Sequence, residues 1–400
     1  MQMAPAIESE GFWKAEMAER RFTWYEFFAG GGMARLGLGR KWQCTFANEW
    51  CPKKALAYRS FFGPSPELKV EDVAKLSADD LPGRCDLVWA SFPCQDLSLA
   101  GSGAGLNGER SGTFRPFWRL VKRLVSDGRG PTVIALENVV GTLTSHGGSD
   151  FAAIVAGFAG IDYKVGALVI DAVRFLPQSR PRLFLVGVKA SLHLKNGLYE
   201  QSASGAWHPH SLLRAVDGLA ASVRSHWVWW NLPIPQAPTS RLDSVIQALP
   251  VLTAWHSDAE TKKVLDLMRP LHRAKVAKVS KLTGRHVGTI YKRTRPNREG
   301  IMKQCAEVRF DGISGCLRTP VGGSSRQTVI IVENGYIRTR LLSPREAARL
   351  MGVPDDYPLA NNYNEAYHVF GDGVVVPVVG WLEKYLLRPL ATSGELQSVA

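Results

Sequence analysis

Thr23-Trp24-Tyr25-Glu26-Phe27-Phe28-Ala29-Gly30-Gly31-Gly32 is the stretch that decides the fold. Its first six residues are mostly aromatic or β-branched and read as a strand, and the glycines after it let backbone amides turn tightly and approach a ligand. A helical pattern, Ala34 to Gly39, follows. A second strand, Cys44 to Asn48, runs into Asn48-Glu49, at about the distance from the glycines at which an acid reaches ribose hydroxyls. Further strands are expected at Asp86 to Ala90, Thr132 to Leu136, Val165 to Ile170 and Arg182 to Val188. Helices are expected at Pro52 to Phe61, Phe114 to Val125 and Phe151 to Ala159. This alternation predicts an α/β fold, an open and mostly parallel sheet flanked by helices.

Outward from this region the pattern stops. From Lys189 to about Arg340 the chain is rich in Pro, Ser, Trp and basic residues, which predicts a smaller, irregular inserted domain. Regularity resumes at Ser343-Pro344-Arg345-Glu346, where an N-cap, a proline and a first-turn acid predict a helix to about Met351. A last helix is expected over Val378 to Leu387. The expected division is an N-terminal segment 1–20, a catalytic domain 21–188, a small domain 189–362, a returning segment 363–392 and a tail 393–400.

With 400 residues and 45% apolar content, the chain has ample material for a large core, which excludes a disordered chain. The net charge is +13, and residues 262–298 hold twelve Lys and Arg against the single Asp266, which is +11 of it. Charge so localised predicts a docking surface for a polyanion, with nucleic acid the first expectation. Trp207, Trp227, Trp229, Trp230 and Trp255 cluster just upstream, as small-domain core or as a stacking surface. The six cysteines form no CxxC pair and read as reduced thiols, and no His and Cys spacing suggests a metal site. No apolar run is long enough for a membrane span and no secretory signal is evident, so a cytoplasmic, nucleoid-associated protein is expected.

Ligands of an open parallel sheet bind beyond the carboxyl ends of its strands. Ser91-Phe92-Pro93-Cys94-Gln95 follows the third of the expected strands and leads into a glycine-punctuated stretch, a fixed thiol beside a flap. Cys94 is the candidate nucleophile, given an electropositive setting that ionises it. Glu137-Asn138-Val139 brings an acid to the same edge. In Gln178-Ser179-Arg180-Pro181-Arg182 two arginines at i and i+2 of an extended segment are expected to face one ligand, stiffened by proline.

Taken in order, these motifs resemble the bacterial-type C5-cytosine DNA methyltransferases, over nearly all of residues 22 to 390. Phe28-Ala29-Gly30-Gly31-Gly32, Asn48-Glu49-Trp50 and Glu71-Asp72-Val73 resemble the family's first three motifs. Phe92-Pro93-Cys94-Gln95 is similar to its nucleophile motif, Glu137-Asn138-Val139 to its acid motif and Gln178 to Arg182 to its paired-arginine motif. Leu342 to Tyr357 resembles the ninth motif and Gly371 to Val378 the tenth. The resemblance implies a Rossmann-like sheet and an S-adenosylmethionine site. Phe28 and Trp50 would flank the adenine, Glu49 would hold the ribose and Asp72 the adenine amine, with Gly30, Gly32, Val73, Pro93, Phe114, Asp372 and Val374 completing the pocket. Two positions depart from the pattern. Met33 follows Gly32 where glycine is usual, and Asp372-Gly373 replaces the usual Asn and small polar residue.

The resemblance further implies methyl transfer to C5 of a flipped-out cytosine in duplex DNA. Cys94 would add to C6, Glu137 would act at the N3 edge, Arg182 at O2, and Arg180 would support the pocket. The insert would be the target-recognition domain, with Gly315 to Pro320 and Gly322 to Arg326 as contact loops. A restriction-modification setting with a partner endonuclease, and action as a monomer on DNA, are further expectations. C5 methylation of RNA, a catalytically silent DNA-binding relative and a nicotinamide-dependent oxidoreductase stand as alternatives.

Overall fold

The structure, a computed structural model, describes residues 21–93, 113–238, 240–296, 299–319 and 326–398. Strand β1 (Phe22–Phe27) buries Trp24, Tyr25 and Phe27 because a central strand of a parallel sheet is covered on both faces. The chain turns through Phe28 and Gly30, both at positive φ, into α1 (Met33–Leu38). There follow β2 (Trp42–Glu49), α2 (Pro52–Phe62), β3 (Leu68–Val70), β4 (Leu87–Ala90), α3 (Phe114–Ser126), β5 (Val133–Val139), α4 (Ser149–Ala159), β6 (Tyr163–Asp171) and β7 (Pro181–Lys189). They form a seven-stranded sheet of order β3-β2-β1-β4-β5-β7-β6. This is the expected Rossmann-like architecture. β3 has too few residues to show a period in sequence.

Strand β7 runs antiparallel to both its neighbours, β5 and β6. The reversal positions the site. It brings the beginning of β7 to the edge where the parallel strands end, with Arg182 in register with Val139 and Ile170.

The insert is more regular than its sequence indicates. Residues 190–232 fold back over the β6 edge, with β8 (Tyr199–Glu200) pairing β9 (Trp229–Trp230), and with α5 (His210–Asp217) and α6 (Ala221–Arg224). Trp207 and Trp230 are wholly buried and their indoles donate to the carbonyls of Leu232 and Val186, so these two are core and not a stacking surface. After α7 (Leu242–Val245), helices α8 (Asp258–Asp266) and α9 (Pro270–Val279) pack on an antiparallel sheet of order β11-β10-β12-β13. Its strands are β10 (Arg285–Pro296), β11 (Met302–Arg309), β12 (Thr328–Glu333) and β13 (Tyr336–Leu341). The expected irregularity is therefore corrected, and the reason is physical. β12 is apolar on both faces, Val329 and Ile331 joining the main core while Ile330 and Val332 meet the α8–α9 layer, so no alternation marks it. Cations fill the outer half of β10.

Apart from half-buried Lys292, the described Lys and Arg residues of 262–298 are exposed, on α8, α9 and β10 or in the short links between them. The chain then forms α10 (Pro344–Leu350), opened by the expected Ser343/Glu346 capping box. α11 (Tyr363–Gly371), α12 (Val376–Leu382) and α13 (Arg388–Ser398) follow, and α12 packs on α1. Among the described residues no helix is long and apolar enough to cross a membrane.

Candidate active site

The carboxyl edge of the main sheet gathers the chemistry. At the end of β2, Glu49 has each carboxylate oxygen fixed by a backbone amide, Gly30 N at 2.8 Å and Cys51 N at 2.8 Å. Asn48 Nδ2 donates to Glu71 O at 2.8 Å, which holds the start of the segment bearing Asp72 and Val73. Asp72 is exposed and caps the turn after it by accepting from Ala74 N. Trp50 leaves 71% of its surface open beside Glu49. Phe28 is half-buried and meets Phe117 edge-on. Val73, Phe114 and Val374 are core residues, Phe114 stacking on Trp118.

This edge suits a nucleoside. Gly30 stands at φ 58° and a Cβ built there would meet nothing within 4 Å, so open space lies above the turn, flanked by an exposed indole and a pre-oriented carboxylate. Phe28, Trp50, Glu49 and Asp72 supply apolar walls and hydrogen-bond acceptors of the kind an adenosyl group needs.

At the end of β5, Glu137 is 7% exposed and its Oε1 lies 3.1 Å from Arg182 Nε. Arg182 Nη1 donates to Pro181 O at 2.9 Å, and Nη2 lies 3.7 Å from the sulfur of Cys316. Asn138 Nδ2 reaches Phe92 O at 3.4 Å, which ties the end of β5 to the segment leading to half-buried Pro93. Cys94, the expected nucleophile, and the expected flap, Gln95 to Ser111, lie outside the described residues.

Arg180 and Arg182 both reach the Cys316 sulfur, as the i, i+2 spacing suggested, but most of the Arg180 guanidinium is taken up by backbone. Asp171 Oδ1 accepts from the Arg180 backbone N at 2.7 Å and fixes the turn before β7. Its buried guanidinium then donates to the carbonyls of Leu317 at 3.0 Å, Gly371 at 3.1 Å and Gly373 at 2.8 Å. A buried guanidinium needs such acceptors, and here it ties the insert and the C-terminal segment to the sheet.

The sequence reading left Cys316 within a contact loop, yet it stands between the arginines, 3.4 Å from Arg180 Nη1. Burial pushes its thiol up, but Arg180, Arg182 and Arg318 outweigh that and bring it below the ordinary cysteine range. Tyr291 of β10 donates to the Cys316 carbonyl at 3.2 Å, so this strand of the insert reaches the Cys316 cluster. Gln178 is also structural, taking Leu317 N on its oxygen and donating to Leu350 O. The ninth-motif segment reaches the glycine turn, Tyr357 Oη donating to Gly31 O at 2.8 Å. Asp372 pairs with Lys54, which sequence reasoning did not single out, at 2.8 Å.

The fold is that of the doubly wound α/β class. The sequence profile of the C-5 cytosine-specific DNA methylases matches residues 22–387, and the chain belongs to that family. It is 26% identical over 372 residues to the type II methyltransferase M.HhaI of Haemophilus parahaemolyticus, covering 92% of this chain and 95% of that protein. It is 25% identical over 361 residues to M.BsuFI of Bacillus subtilis, covering 90% of this chain and 71% of that protein. The fold is shared with the Dnmt2 methyltransferase of S. pombe, at a TM-score of 0.56 and 16% identity over 92% of this chain and 99% of that one. The protein is thus a DNA (cytosine-5-)-methyltransferase.

Proposed function

We propose that the protein transfers a methyl group from S-adenosylmethionine to C5 of a flipped-out cytosine at a specific duplex DNA sequence, through a covalent bond between Cys94 and C6. The observation that carries this reading is the Glu137–Arg182 ion pair at the sheet edge, next to Asn138, whose amide reaches the carbonyl of Phe92, two positions before Cys94 in sequence. C5 of cytosine is a poor nucleophile until a thiolate adds at C6. As the S–C6 bond forms, the electrons of the C5–C6 double bond move to C5. Glu137 engages N3 and Arg182 engages O2, which stabilises the charge pushed into the ring. S-adenosylmethionine, when bound, would supply an electrophilic methyl on its sulfonium, the S–CH3 bond breaking to leave S-adenosylhomocysteine. After C5 is methylated, loss of the C5 proton to solvent base and departure of the Cys94 thiolate restore the aromatic ring.

Phe28, Gly30, Gly32, Glu49, Trp50, Asp72, Val73, Pro93, Phe114, Asp372 and Val374 form the cofactor side of this pocket. Residues 21–188 and 363–392 carry catalysis, and 189–362 read the target. The exposed cations of α8, α9 and β10 support a duplex-DNA partner, since phosphate binding draws on several clustered cations. The test is bisulfite sequencing of DNA from cells expressing the protein. Methylcytosine in one sequence context with wild type, and none with Cys94→Ala, is the expected result. Unmethylated DNA with wild type overturns the reading, and methylcytosine found only in RNA moves the substrate there.

A further inference from the structure

The two positions that depart from the family pattern meet in space. A Cβ at Gly373 would stand 1.9 Å from Met33 Cε, so the Met33 side chain lies directly against the Gly373 backbone. Asp372 is held between Gly371 and Gly373, whose carbonyls both accept from buried Arg180. Its side chain reaches α2, where Lys54 Nζ lies 2.8 Å from Oδ2. The side chains are 20% exposed for Lys54 and 41% for Asp372, so the pair keeps an open face. Burial would lower the Lys54 pKa, but Asp372 and then Glu49 raise it overall, which places the ammonium within the field of the acid that Gly30 orients.

A half-open ion pair contributes little to stability, so bracing is a weak reason for it. An acid at 372 by itself would also repel any carboxylate bound beside the glycine turn. A cation and an anion fixed side by side instead match a ligand that carries both charges. We propose that Lys54 and Asp372 together form the subsite for the zwitterionic amino-acid end of the cofactor, Lys54 donating to its α-carboxylate and Asp372 accepting from its α-ammonium. Each charge of the ligand meets its opposite, and the net charge of the site is unchanged. The inference rests on the cofactor reading above and assigns Lys54 a role that the motif pattern does not.

The test is calorimetric binding of two ligands to the full-length protein. S-adenosylhomocysteine carries the amino-acid end, whereas 5′-methylthioadenosine has the same nucleoside thioether without it. Lys54→Met and Asp372→Asn are each expected to weaken S-adenosylhomocysteine roughly ten- to a hundredfold, the scale of a lost charge-assisted hydrogen bond, while methylthioadenosine stays within about twofold. Methylthioadenosine binding doubles as the control for folding, and Lys54→Gln substitutes where Lys54→Met does not fold. Unchanged S-adenosylhomocysteine affinity, or parallel loss of both ligands, overturns the subsite. Failure of wild type to bind either ligand overturns the cofactor reading itself, a result distinct from the other two.

Discussion

At the residue scale, two buried titratable side chains, Arg180 and Glu26, carry separate consequences for stability. Arg180 satisfies carbonyls from three separate segments, so removing its guanidinium strands buried acceptors. Arg180→Met is expected to lower stability by about 3–5 kcal/mol in urea unfolding, with Arg180→Lys also destabilised because one ammonium cannot reproduce the fork. Glu26 on β1 is the other. Its carboxyl is pushed up to about 8, first by burial and further by Glu49 and Glu67, against the lowering effects of Arg35 and Tyr58. One of its oxygens has no hydrogen-bond partner. The folded state therefore holds a proton that the unfolded chain has already lost, so stability falls as pH rises from about 4.5 through 8, by at most about 1.4 kcal/mol per pH unit. Glu26→Gln should flatten that fall in unfolding curves taken at pH 5, 7 and 9. An equally steep profile in the variant contradicts the assignment.

At the element scale, the sheet and helix boundaries near the glycine turn were legible because period, glycine and proline agree there. The expected Pro52 to Phe61 helix and the observed Pro52–Phe62 differ by one residue. β7 was legible as a strand but not as a reversed one, since strand direction is set by a partner rather than by local pattern. Arg180 and Arg182, whose spacing predicts a shared face, do both reach Cys316, but their further partners, backbone carbonyls for Arg180 and Glu137 for Arg182, come from distant segments that spacing cannot show. Lys54 was invisible because its partner lies over 300 positions away, at Asp372. The basic helix α9 makes its own prediction. Lys275, Lys278 and Lys281 are exposed there and just beyond its end, and if they meet phosphates, changing all three to Ala should reduce the slope of log affinity for duplex DNA against log salt by up to about 3. An unchanged slope removes these lysines from the DNA interface.

At the scale of the whole molecule, one core joins what the sequence divides. Val186 of the main sheet, Val329 and Ile331 of the insert, and Val378 of the C-terminal segment belong to one apolar cluster. Arg180 and Gln178 add polar ties among the same three parts. The cluster of Glu137, Arg182 and Cys316 is consequently assembled from residues distant in sequence, and Tyr291 connects it to β10. The most direct measurement of the central claim is the intact mass of the protein after incubation with S-adenosylmethionine and a substrate duplex carrying 5-fluorocytosine at the target. Fluorine at C5 cannot leave as a proton does, so elimination stalls after methylation. The account predicts a stable protein–DNA adduct with wild type that is absent with Cys94→Ala. No adduct with wild type, on a duplex shown to be methylated when it carries ordinary cytosine, contradicts it.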